Sequence, residues 1–366
     1  MIVAGEASGE MHAAGVVEEL ARLRPDLALV GVGGMRMEAA GAALLDRTDR
    51  LAVMGFVEIL KHVPRHWALL RTLKARLAGG SVAALVVIDY PGFNMRLAAA
   101  AQAVGVPVLY YVTPQVWAWH ASRLAKLARI VTKAAVILPF EEPLLRANGI
   151  DATFVGHPLL DRARDLPGRA EARAALGLEG EAPVLALFPG SRAQEIERHL
   201  DDFVGTARAV ERQLPGVRVV VSVAPTIDLD PARCPYATIK SASFTVLRAA
   251  DAAFCKSGTT TLEAAVAGCP LAVAYRTNAI TYAIARRLVT IPHIGLVNVV
   301  AEREVAPEFV QDALAPEAVA AVLVPLLDHG SSERRQMLVG LAEVRVKLGV
   351  PGAAARVAVM ASELAR

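Results

Sequence analysis

The sequence predicts an α/β protein with two Rossmann-like domains, each built around a doubly wound parallel sheet. Short apolar runs rich in β-branched residues alternate with helical patterns along the 366 residues, which is the rhythm of βαβ units. The runs are continuously apolar, as in strands that helices cover on both faces. They suit two sheets of about five strands better than one: Ile2–Ala4, Leu27–Val32, Ala84–Ile88, Val108–Val112, Ala135–Leu138, Thr153–Val155, Val184–Phe188, Arg218–Val223, Ala252–Cys255 and Leu271–Ala274.

The boundary between the domains is predicted where the composition changes, between Leu160 and Pro183. There Arg and Glu alternate with Ala, and Gly168, Gly177 and Gly180 cluster, as in linkers. The predicted domains therefore span residues 1–165 and 166–344. If the two sheets face one another, their carboxyl-end crevices meet at a shared cleft, where ligands of such sheets bind.

Composition and charge exclude some classes of protein. Lys and Arg number 39 and Asp and Glu 36, and the net charge of +3 gives no electrostatic footprint for nucleic acid. The longest stretch without a charged residue, Leu97 to Ser122, contains Pro107 and Pro114, so it predicts a buried helix and strand and no membrane span. The three cysteines lack C-x-x-C spacing and no secretory signal is evident, so we expect free thiols in the cytoplasm.

Two turns of the first domain are candidates for function. Gly5–Glu10 follows the first strand and opens a helix; its glycines suit an anion or a sugar, or the turn is ordinary with Ser8 as a cap. Asp89–Asn94 ends a buried strand, where a carboxylate accepts a proton from a substrate hydroxyl or caps the next helix. A Gly31–Gly34 dinucleotide fingerprint is disfavoured because Arg36 replaces its third glycine.

Two turns of the second domain suit an anionic ligand. Pro189–Arg192 places a glycine, a serine and a planar guanidinium before a helix. Lys256–Glu263 concentrates hydroxyl groups at a helix N-terminus. Each turn also fits a capping box, which would explain Ser191 and Glu263 without any ligand. A P-loop is absent.

The segment Leu51–Leu77 interleaves apolar and basic residues. Trp67 beside cations suits a helix in a membrane interface, and an amphipathic helix on the core explains the pattern equally well. The lipid-contact candidates are Trp67, Leu69, Leu70 and Leu73. We predict no metal site, because Pro64 separates His62 from His66 and the Asp228 and Asp230 pair lacks a third ligand.

In this order the motifs resemble those of lipid-A-disaccharide synthases, a family of inverting glycosyltransferases with the two-Rossmann-domain GT-B fold. The resemblance covers nearly the whole chain. It rests on Gly5–Gly9 (GEASG), Met54-Gly55 with Glu58, Asp89–Asn94 (DYPGFN), Tyr111–Trp119 (YVTPQVWAW), Leu138–Glu141 (LPFE), Phe154–Pro158 (FVGHP), Pro189–Arg192 (PGSR), Ser257–Glu263 (SGTTTLE), Asn298 and Pro307–Gln311 (PEFVQ). The chain departs from the family pattern at Glu10 (usually Asp), Gly92 (Asp or Glu) and Lys256 (Ala).

The resemblance implies transfer of 2,3-diacylglucosamine from UDP to the 6-hydroxyl of 2,3-diacylglucosamine 1-phosphate, with no cofactor. It implies a cytoplasmic enzyme, peripheral on the inner face of the inner membrane and possibly homodimeric, with residues 345–366 packing back on the first domain. It assigns catalysis to Asp89, as base, and Glu6. It assigns the acceptor side to Ser8, Met54, Glu58 and Asn94, and UDP-sugar binding to Gly190, Ser191, Arg192, Ser257, Gly258, Thr259, Thr260, Glu263, Asn298 and Gln311.

Other classes of protein stay open on the residues alone. A UDP-sugar epimerase or another GT-B UDP-sugar transferase would use the same two-domain architecture. An epimerase needs no acceptor, whereas a transferase does. A nicotinamide dehydrogenase is disfavoured by Arg36, and a non-enzymatic nucleotide-binding module leaves Asp89 without a purpose.

Overall fold

The computed structural model describes residues 1–47, 56–115, 121–178, 180–225, 227–240, 242–278, 282 and 292–365, without the side chains of residues 7, 8, 56–63 and 121–123. The chain forms two compact units, Met1–Asp161 with Gly349–Arg366 and Arg162–Leu348. The predicted boundaries at 165 and 345 lie a few residues from these positions. None of the described helices combines the length and the apolar character needed to cross a membrane.

The first unit contains a seven-stranded parallel sheet in the order β3-β2-β1-β4-β5-β6-β7. The strands are β1 (Ile2–Ala4), β2 (Val30–Gly33), β3 (Ala43–Arg47), β4 (Leu85–Ile88), β5 (Val108–Tyr111), β6 (Lys133–Val136) and β7 (Ala152–Phe154). Its helices are α1 (Ala7–Leu23), α2 (Met35–Ala39), α3 (Phe56–Ala78), α4 (Pro91–Ala103), α5 (Ala121–Ile130), α6 (Glu141–Ala147) and α7 (Leu159–Arg162), which ends at the unit boundary, and the last helix of the chain, Ala353–Leu364.

The second unit contains a six-stranded parallel sheet in the order β10-β9-β8-β11-β12-β13. The strands are β8 (Val184–Phe188), β9 (Arg218–Val223), β10 (Ala237–Lys240), β11 (Ala252–Lys256), β12 (Leu271–Tyr275) and β13 (Glu308–Val310). Its helices are α8 (Arg169–Ala175), α9 (Ala193–Gln213), α10 (Ser243–Ala249), α11 (Thr260–Ala267), α12 (Leu296–Ala301), α13 (Pro316–Leu327) and α14 (Ser332–Lys347). The helix Ala353–Leu364 is α15.

The prediction of two parallel α/β sheets is confirmed, with three strands that the sequence did not reveal: β3, β10 and β13. Each of them is the edge strand of its sheet. Their residues are partly exposed, so they do not form the continuous apolar runs that identify strands buried on both faces. The ten predicted runs all coincide with observed strands, within a few residues at their ends.

Alternate residues of the first sheet pack on its opposite faces. Val3 and Val87 face α3, α4 and α5, whereas Ile2, Ala4 and Ile88 face α1 and α15. The core of the first unit is therefore a sheet between two helical layers. On the second of these faces α15 contributes Val357, Ala358 and Ala361. Its N-terminus is held by the Asp161 carboxylate, which accepts hydrogen bonds from the Gly352 and Ala353 N–H groups at 2.5 and 3.1 Å.

The leucines of α3 belong to the core and not to a lipid-facing surface. Leu69, Leu70 and Leu73 are 7%, 4% and 0% exposed and pack with α4 and the sheet, which corrects their assignment as membrane contacts. Trp67 is 56% exposed, with the Arg96 guanidinium 5.7 Å from the centre of its ring. The helix also runs through Pro64, so this proline does not interrupt it. The amphipathic pattern thus records core packing along one side of α3.

The second unit is organised around Asp251, a fully buried carboxylate directly before β11. The side chain accepts hydrogen bonds from Arg173 at 2.7 Å, the Val184 N–H at 2.8 Å and His329 at 2.8 Å, and a further bond from Arg169. Burial alone would raise the pKa of Asp251, but these donors outweigh it and hold the pKa below its ordinary value of 3.8. Asp251 therefore ties α8, the start of β8 and the chain after α13 to one ionised group.

The three cysteines are free and buried, as expected. Burial raises the pKa of the Cys269 thiol to about 12 and that of Cys255 well above its ordinary value. Both thiols are therefore held in the protonated, unreactive form.

We predict that Asp251→Asn destabilises the second unit by about 3 to 5 kcal/mol, because it leaves the buried guanidinium of Arg173 without a counter-charge. The lowered folded-state pKa means that the ionised Asp251 stabilises the fold fully above pH 3.8, and that this stabilisation is lost as the pH falls through the folded-state pKa. The difference in unfolding free energy between the wild type and Asp251→Asn should therefore become smaller as the pH falls through the folded-state pKa. Urea unfolding between pH 3 and 7, roughly the range that brackets carboxylate titration, measures both effects.

The matched control is Asp201→Asn, which removes a carboxylate that is also paired with an arginine, Arg233, but is 80% exposed. Its unfolding midpoint should equal that of the wild type at every pH. Equal losses in the two variants would contradict the organising role of Asp251.

Candidate active site

Both sheets reverse their strand order at one position, and the candidate residues follow the strands on either side of it. In the first sheet this position lies between β1 and β4, and in the second between β8 and β11. Connections leave such a position in opposite directions, which opens a crevice at the carboxyl ends of the two strands. Gly5 and Glu6 follow β1, and Asp89 follows β4, so the first crevice gathers the predicted catalytic side chains.

Asp89 and Tyr90 lie in a strained turn at the first crevice. Both adopt left-handed backbone conformations, with φ of 49° and 48°. Non-glycine residues rarely do so, at a cost of roughly 1–2 kcal/mol each, and such strain clusters at functional sites. The surroundings hold the turn in place: the Asp89 carbonyl accepts hydrogen bonds from Asn94 Nδ2 at 2.8 Å and from the Tyr110 hydroxyl at 2.9 Å.

Asn94 is therefore a support of the turn. Its side chain is fully buried, and Nδ2 also donates to the Ile88 carbonyl at 3.0 Å. Asn94 thus acts on the backbone of the turn, and its assignment to the acceptor side stays a prediction. Asp89 is not the N-cap residue of α4, because that position is taken by Tyr90, which makes no side-chain capping hydrogen bond.

Tyr90 connects the turn to Gly5, Glu6 and His66. A methyl group on Gly5 would lie 2.1 Å from Tyr90 Cδ1, so glycine is required for the ring to pack there. The Tyr90 hydroxyl lies 2.8 Å from His66 Nε2. Burial, and then the charge of Glu6, raise the pKa of Tyr90. Sequence reasoning missed His66, considering it only for metal binding, because its partner Tyr90 is 24 residues away.

The structure describes the side chains of only some of the remaining candidates in the first unit. Met54 lies outside the described residues, as do the side chains of Ser8 and Glu58. Glu10, one of the departures from the family pattern, accepts a hydrogen bond from the Arg36 N–H in the first turn of α2 at 2.8 Å. Glu10 therefore caps the start of α2 through the backbone of Arg36, a contact that does not depend on the arginine side chain.

In the second unit the crevice between β8 and β11 holds a pocket of about 370 Å³. Seven of the predicted residues line it: Gly190, Ser191, Ser257, Gly258, Thr259, Thr260 and Glu263. Lys256, which opens the predicted Lys256–Glu263 turn, lines the pocket as well. So do residues that the sequence analysis did not assign, among them Arg162, Glu195 and the Ser222–Pro225 segment at the end of β9. Hydroxyl-bearing and charged residues from separate segments thus line a space of the size that small ligands occupy.

Two ion pairs cross the pocket lining. Glu263 pairs with Arg162 at 3.0 Å, and Glu195 pairs with Lys256 at 2.9 Å. The predicted capping boxes are wrong: α9 begins after Arg192 and α11 after Thr259, and neither N-cap residue has a side-chain cap. Glu263, the acidic residue of the second predicted box, instead pairs with Arg162.

Asn298 and Gln311 do not line the pocket. Asn298 is fully buried, and its amide bonds the Val305 and Ala306 N–H groups, the Ala306 carbonyl and Glu308. The Gln311 amide bonds the N–H and the carbonyl of Thr277 at 2.7 and 3.0 Å. The amides of both residues therefore shape neighbouring loops, and their assignment as nucleotide contacts stays a prediction. Arg192, the exposed N-cap residue of α9, also lies outside the pocket lining.

Among the residues that the structure describes, no group of three or more His, Cys, Asp or Glu side chains is arranged to hold a metal ion.

The two sheets with their crevices define a class, the two-domain α/β proteins of the GT-B type. Two solved structures share this fold. The calicheamicin glycosyltransferase has a TM-score of 0.62 at 18% identity, covering 99% of this chain and 97% of its own. A putative UDP-N-acetylglucosamine 2-epimerase from Listeria monocytogenes has a TM-score of 0.66 at 13% identity, covering 98% and 94%. At these identities the similarity establishes the fold alone.

The family follows from sequence. The model of the family described as lipid-A-disaccharide synthetase matches residues 1–348. The lipid-A-disaccharide synthase of Anaeromyxobacter sp. (strain K) is 42% identical over 367 residues, which cover 98% of this chain and 95% of that protein. The chain therefore belongs to the lipid-A-disaccharide synthase family of glycosyltransferases, and the predicted resemblance is confirmed.

We predict that Gly5→Ala lowers glycosyl transfer at least tenfold, because the added methyl group would displace Tyr90 and with it the strained turn that carries Asp89. Initial rates at saturating substrate, together with the melting temperature, measure the effect. The control is Gly92→Ala in the first turn of α4, where an added methyl group meets no atom within 4 Å. It should keep wild-type rates, and a comparable loss in both variants would show that Tyr90 packing is irrelevant.

Proposed function

We propose that this protein transfers 2,3-diacylglucosamine from UDP to the 6-hydroxyl of 2,3-diacylglucosamine 1-phosphate, forming a β-1,6 disaccharide and UDP in lipid A biosynthesis. The observation that carries the proposal is the family match along residues 1–348. The two crevices support it, because each offers the chemistry that one half of the reaction requires.

The second unit supplies the site for the nucleotide. Hydroxyl groups of Ser191, Thr259 and Thr260 and the N-terminus of α11 line the pocket, and such groups bind phosphate oxygens. The Ser257 hydroxyl shapes the same turn by donating to the Ile294 carbonyl at 2.7 Å. Glu263, held by Arg162, is placed to accept hydrogen bonds from ribose hydroxyls. Arg192, at the start of α9, adds a cation near the pocket for the leaving UDP. These groups stabilise UDP electrostatically, and we propose no metal and no cofactor.

The first unit supplies the base. Asp89 accepts the proton of the acceptor 6-hydroxyl while its oxygen bonds to the anomeric carbon, and the bond from that carbon to the diphosphate breaks with its electrons on UDP. A single displacement inverts the anomeric configuration. Glu6 and Tyr90 stand beside Asp89 at the same crevice, and the strained turn fixes the carboxylate before substrate arrives.

Attachment to the inner face of the inner membrane belongs to the same proposal, because the substrates carry acyl chains. The exposed side of α3 supports it. Trp67 is exposed there, among basic residues and away from the buried leucines: Arg65, Arg71, Lys74 and Arg76. Basic residues and an exposed tryptophan suit a surface of anionic lipid.

The decisive assay incubates the purified protein with UDP-2,3-diacylglucosamine, with and without the monosaccharide 1-phosphate. Disaccharide and UDP should appear together and only with acceptor. UDP released or UDP-sugar epimerised without acceptor would contradict the transferase and favour the epimerase alternative.

In this assay we expect Asp89→Asn to lower turnover about 100- to 10,000-fold, because the amide cannot take up the hydroxyl proton. UDP affinity, measured by calorimetry, should stay at the wild-type value, since the residues that line the UDP pocket all lie in the second unit. Asp151→Asn, an exposed carboxylate of the first unit, is the control and should be fully active. Near-normal turnover of Asp89→Asn with UDP still bound would refute the assignment of the base.

For the membrane surface, we expect Trp67→Ser to reduce co-sedimentation with vesicles of anionic phospholipid several-fold, because an aromatic anchor is lost from an exposed basic surface. Val104→Ser, at an apolar residue of the same unit that is 47% exposed, should bind as the wild type does. Unchanged binding of Trp67→Ser would remove α3 as the contact surface and leave the catalytic assignment intact.

A further inference from the structure

Lys256 lies between the two halves of the second crevice. It is the last residue of β11, next to β8, and Cys255 pairs in register with Phe188, the residue that ends β8. Lys256 Nζ reaches Glu195 Oε1, at 2.9 Å, in the first turn of the helix that follows β8. The side chains are 20% and 19% exposed, and both line the pocket. The ion pair therefore spans the crevice where the strand order reverses.

Glu195 is anchored on its other side as well. Its second oxygen, Oε2, accepts a hydrogen bond from the Ser191 N–H at 2.9 Å. Gly190, with φ of 144°, leaves room for the Glu195 side chain, because a methyl group there would lie 2.6 Å from Glu195 Cβ. Partial burial would raise the pKa of Glu195, but the Ser191 N–H and Lys256 outweigh it and lower the pKa. A fixed negative charge thus stands in the pocket lining.

A fixed carboxylate is unfavourable for a pocket that receives a nucleoside diphosphate, because like charges repel strongly where water is partly excluded. Lys256 removes this obstacle. Its ammonium carries three donors, and Glu195 Oε1 is the one acceptor described for it, so the same group can donate to a phosphate oxygen as well.

The other ion pair of the pocket has a different position. Glu263 and Arg162 meet one turn inside α11, whereas Lys256 directly precedes the Ser257–Thr259 turn that leads into α11. Lys256 is therefore the cation placed beside the N–H groups at the start of α11, where an anion would bind. The anionic part of a ligand is expected at Lys256, and its neutral hydroxyl groups at Glu263.

We propose that Lys256 is a binding residue for the diphosphate of the nucleotide sugar: its ammonium neutralises Glu195 and donates to a phosphate oxygen. This inference rests on the proposed function, which makes the ligand a UDP-sugar. The proposal also explains why this chain has Lys256 where the family pattern usually has Ala. The Lys256 ammonium compensates for the charge of Glu195, whose carboxylate holds the Pro189–Arg192 turn.

The test measures binding of UDP and of uridine to Lys256→Met by calorimetry. Loss of a charge-assisted contact should weaken UDP binding about 10- to 100-fold and leave uridine binding unchanged, because uridine has no phosphate. Adding Glu195→Gln to Lys256→Met should recover part of the UDP affinity, since no unpaired carboxylate remains. In the transfer assay the KM for the UDP-sugar should rise more than kcat falls.

The matched control is Lys240→Met. Lys240 also ends a strand of the same sheet, β10, and is also paired with a carboxylate, Asp228, but it lies outside the pocket lining. UDP and uridine should bind to this variant as they bind to the wild type.

Equal weakening of UDP and uridine by Lys256→Met would show a merely structural ion pair and overturn the inference, and so would unchanged UDP affinity. If the wild type binds UDP, and Lys256→Met shows the expected selective loss, but no disaccharide forms, the proposed function fails while the role of Lys256 stands. A wild-type protein that does not bind UDP would refute both.

Discussion

The geometry of both units depends on one topological constraint, the position in each parallel sheet where the strand order reverses. Successive connections leave that position in opposite directions, and a crevice opens at the carboxyl ends of the two strands. The chain places its unusual local structure at these two positions. The first holds consecutive left-handed residues after β4, and the second holds a glycine with φ of 144° after β8. The polar side chains at these positions, such as Glu195 and Lys256, are partly exposed and form an ion pair, which avoids the free-energy cost of burying them unpaired inside a sheet.

The buried strands could be predicted from the sequence because a strand that helices cover on both faces consists of consecutive apolar residues. Val184–Phe188 is an uninterrupted apolar run of this kind. An edge strand such as Ala237–Lys240 contains exposed residues and therefore cannot be recognised in this way. The turns that follow buried strands could be identified for the same reason, since the end of an apolar run marks where a crevice residue stands.

The partners of the site residues were not predictable, because they are far apart in the chain. Glu263 satisfies a local capping pattern with Thr260, yet its carboxylate pairs with Arg162, 101 residues away. His66 and Tyr90 meet from α3 and the turn after β4. In α3 the spacing of apolar residues could not show which surface they contact, because the same pattern is expected for a helix that faces a protein core and for one that faces lipid. Only the tertiary structure shows that Leu73 is buried and Trp67 is not.

The position of α15 has a consequence for the order in which the protein folds during synthesis. This helix supplies part of the core of the first unit, against α1, but it follows the whole second unit in the chain. On the ribosome the second unit can therefore complete its core before the first does. At ordinary rates of translation, the apolar side of α1 waits on the order of ten seconds or longer for its partner. The strands of the first unit are synthesised early, and they must not associate with other chains before α15 has been synthesised.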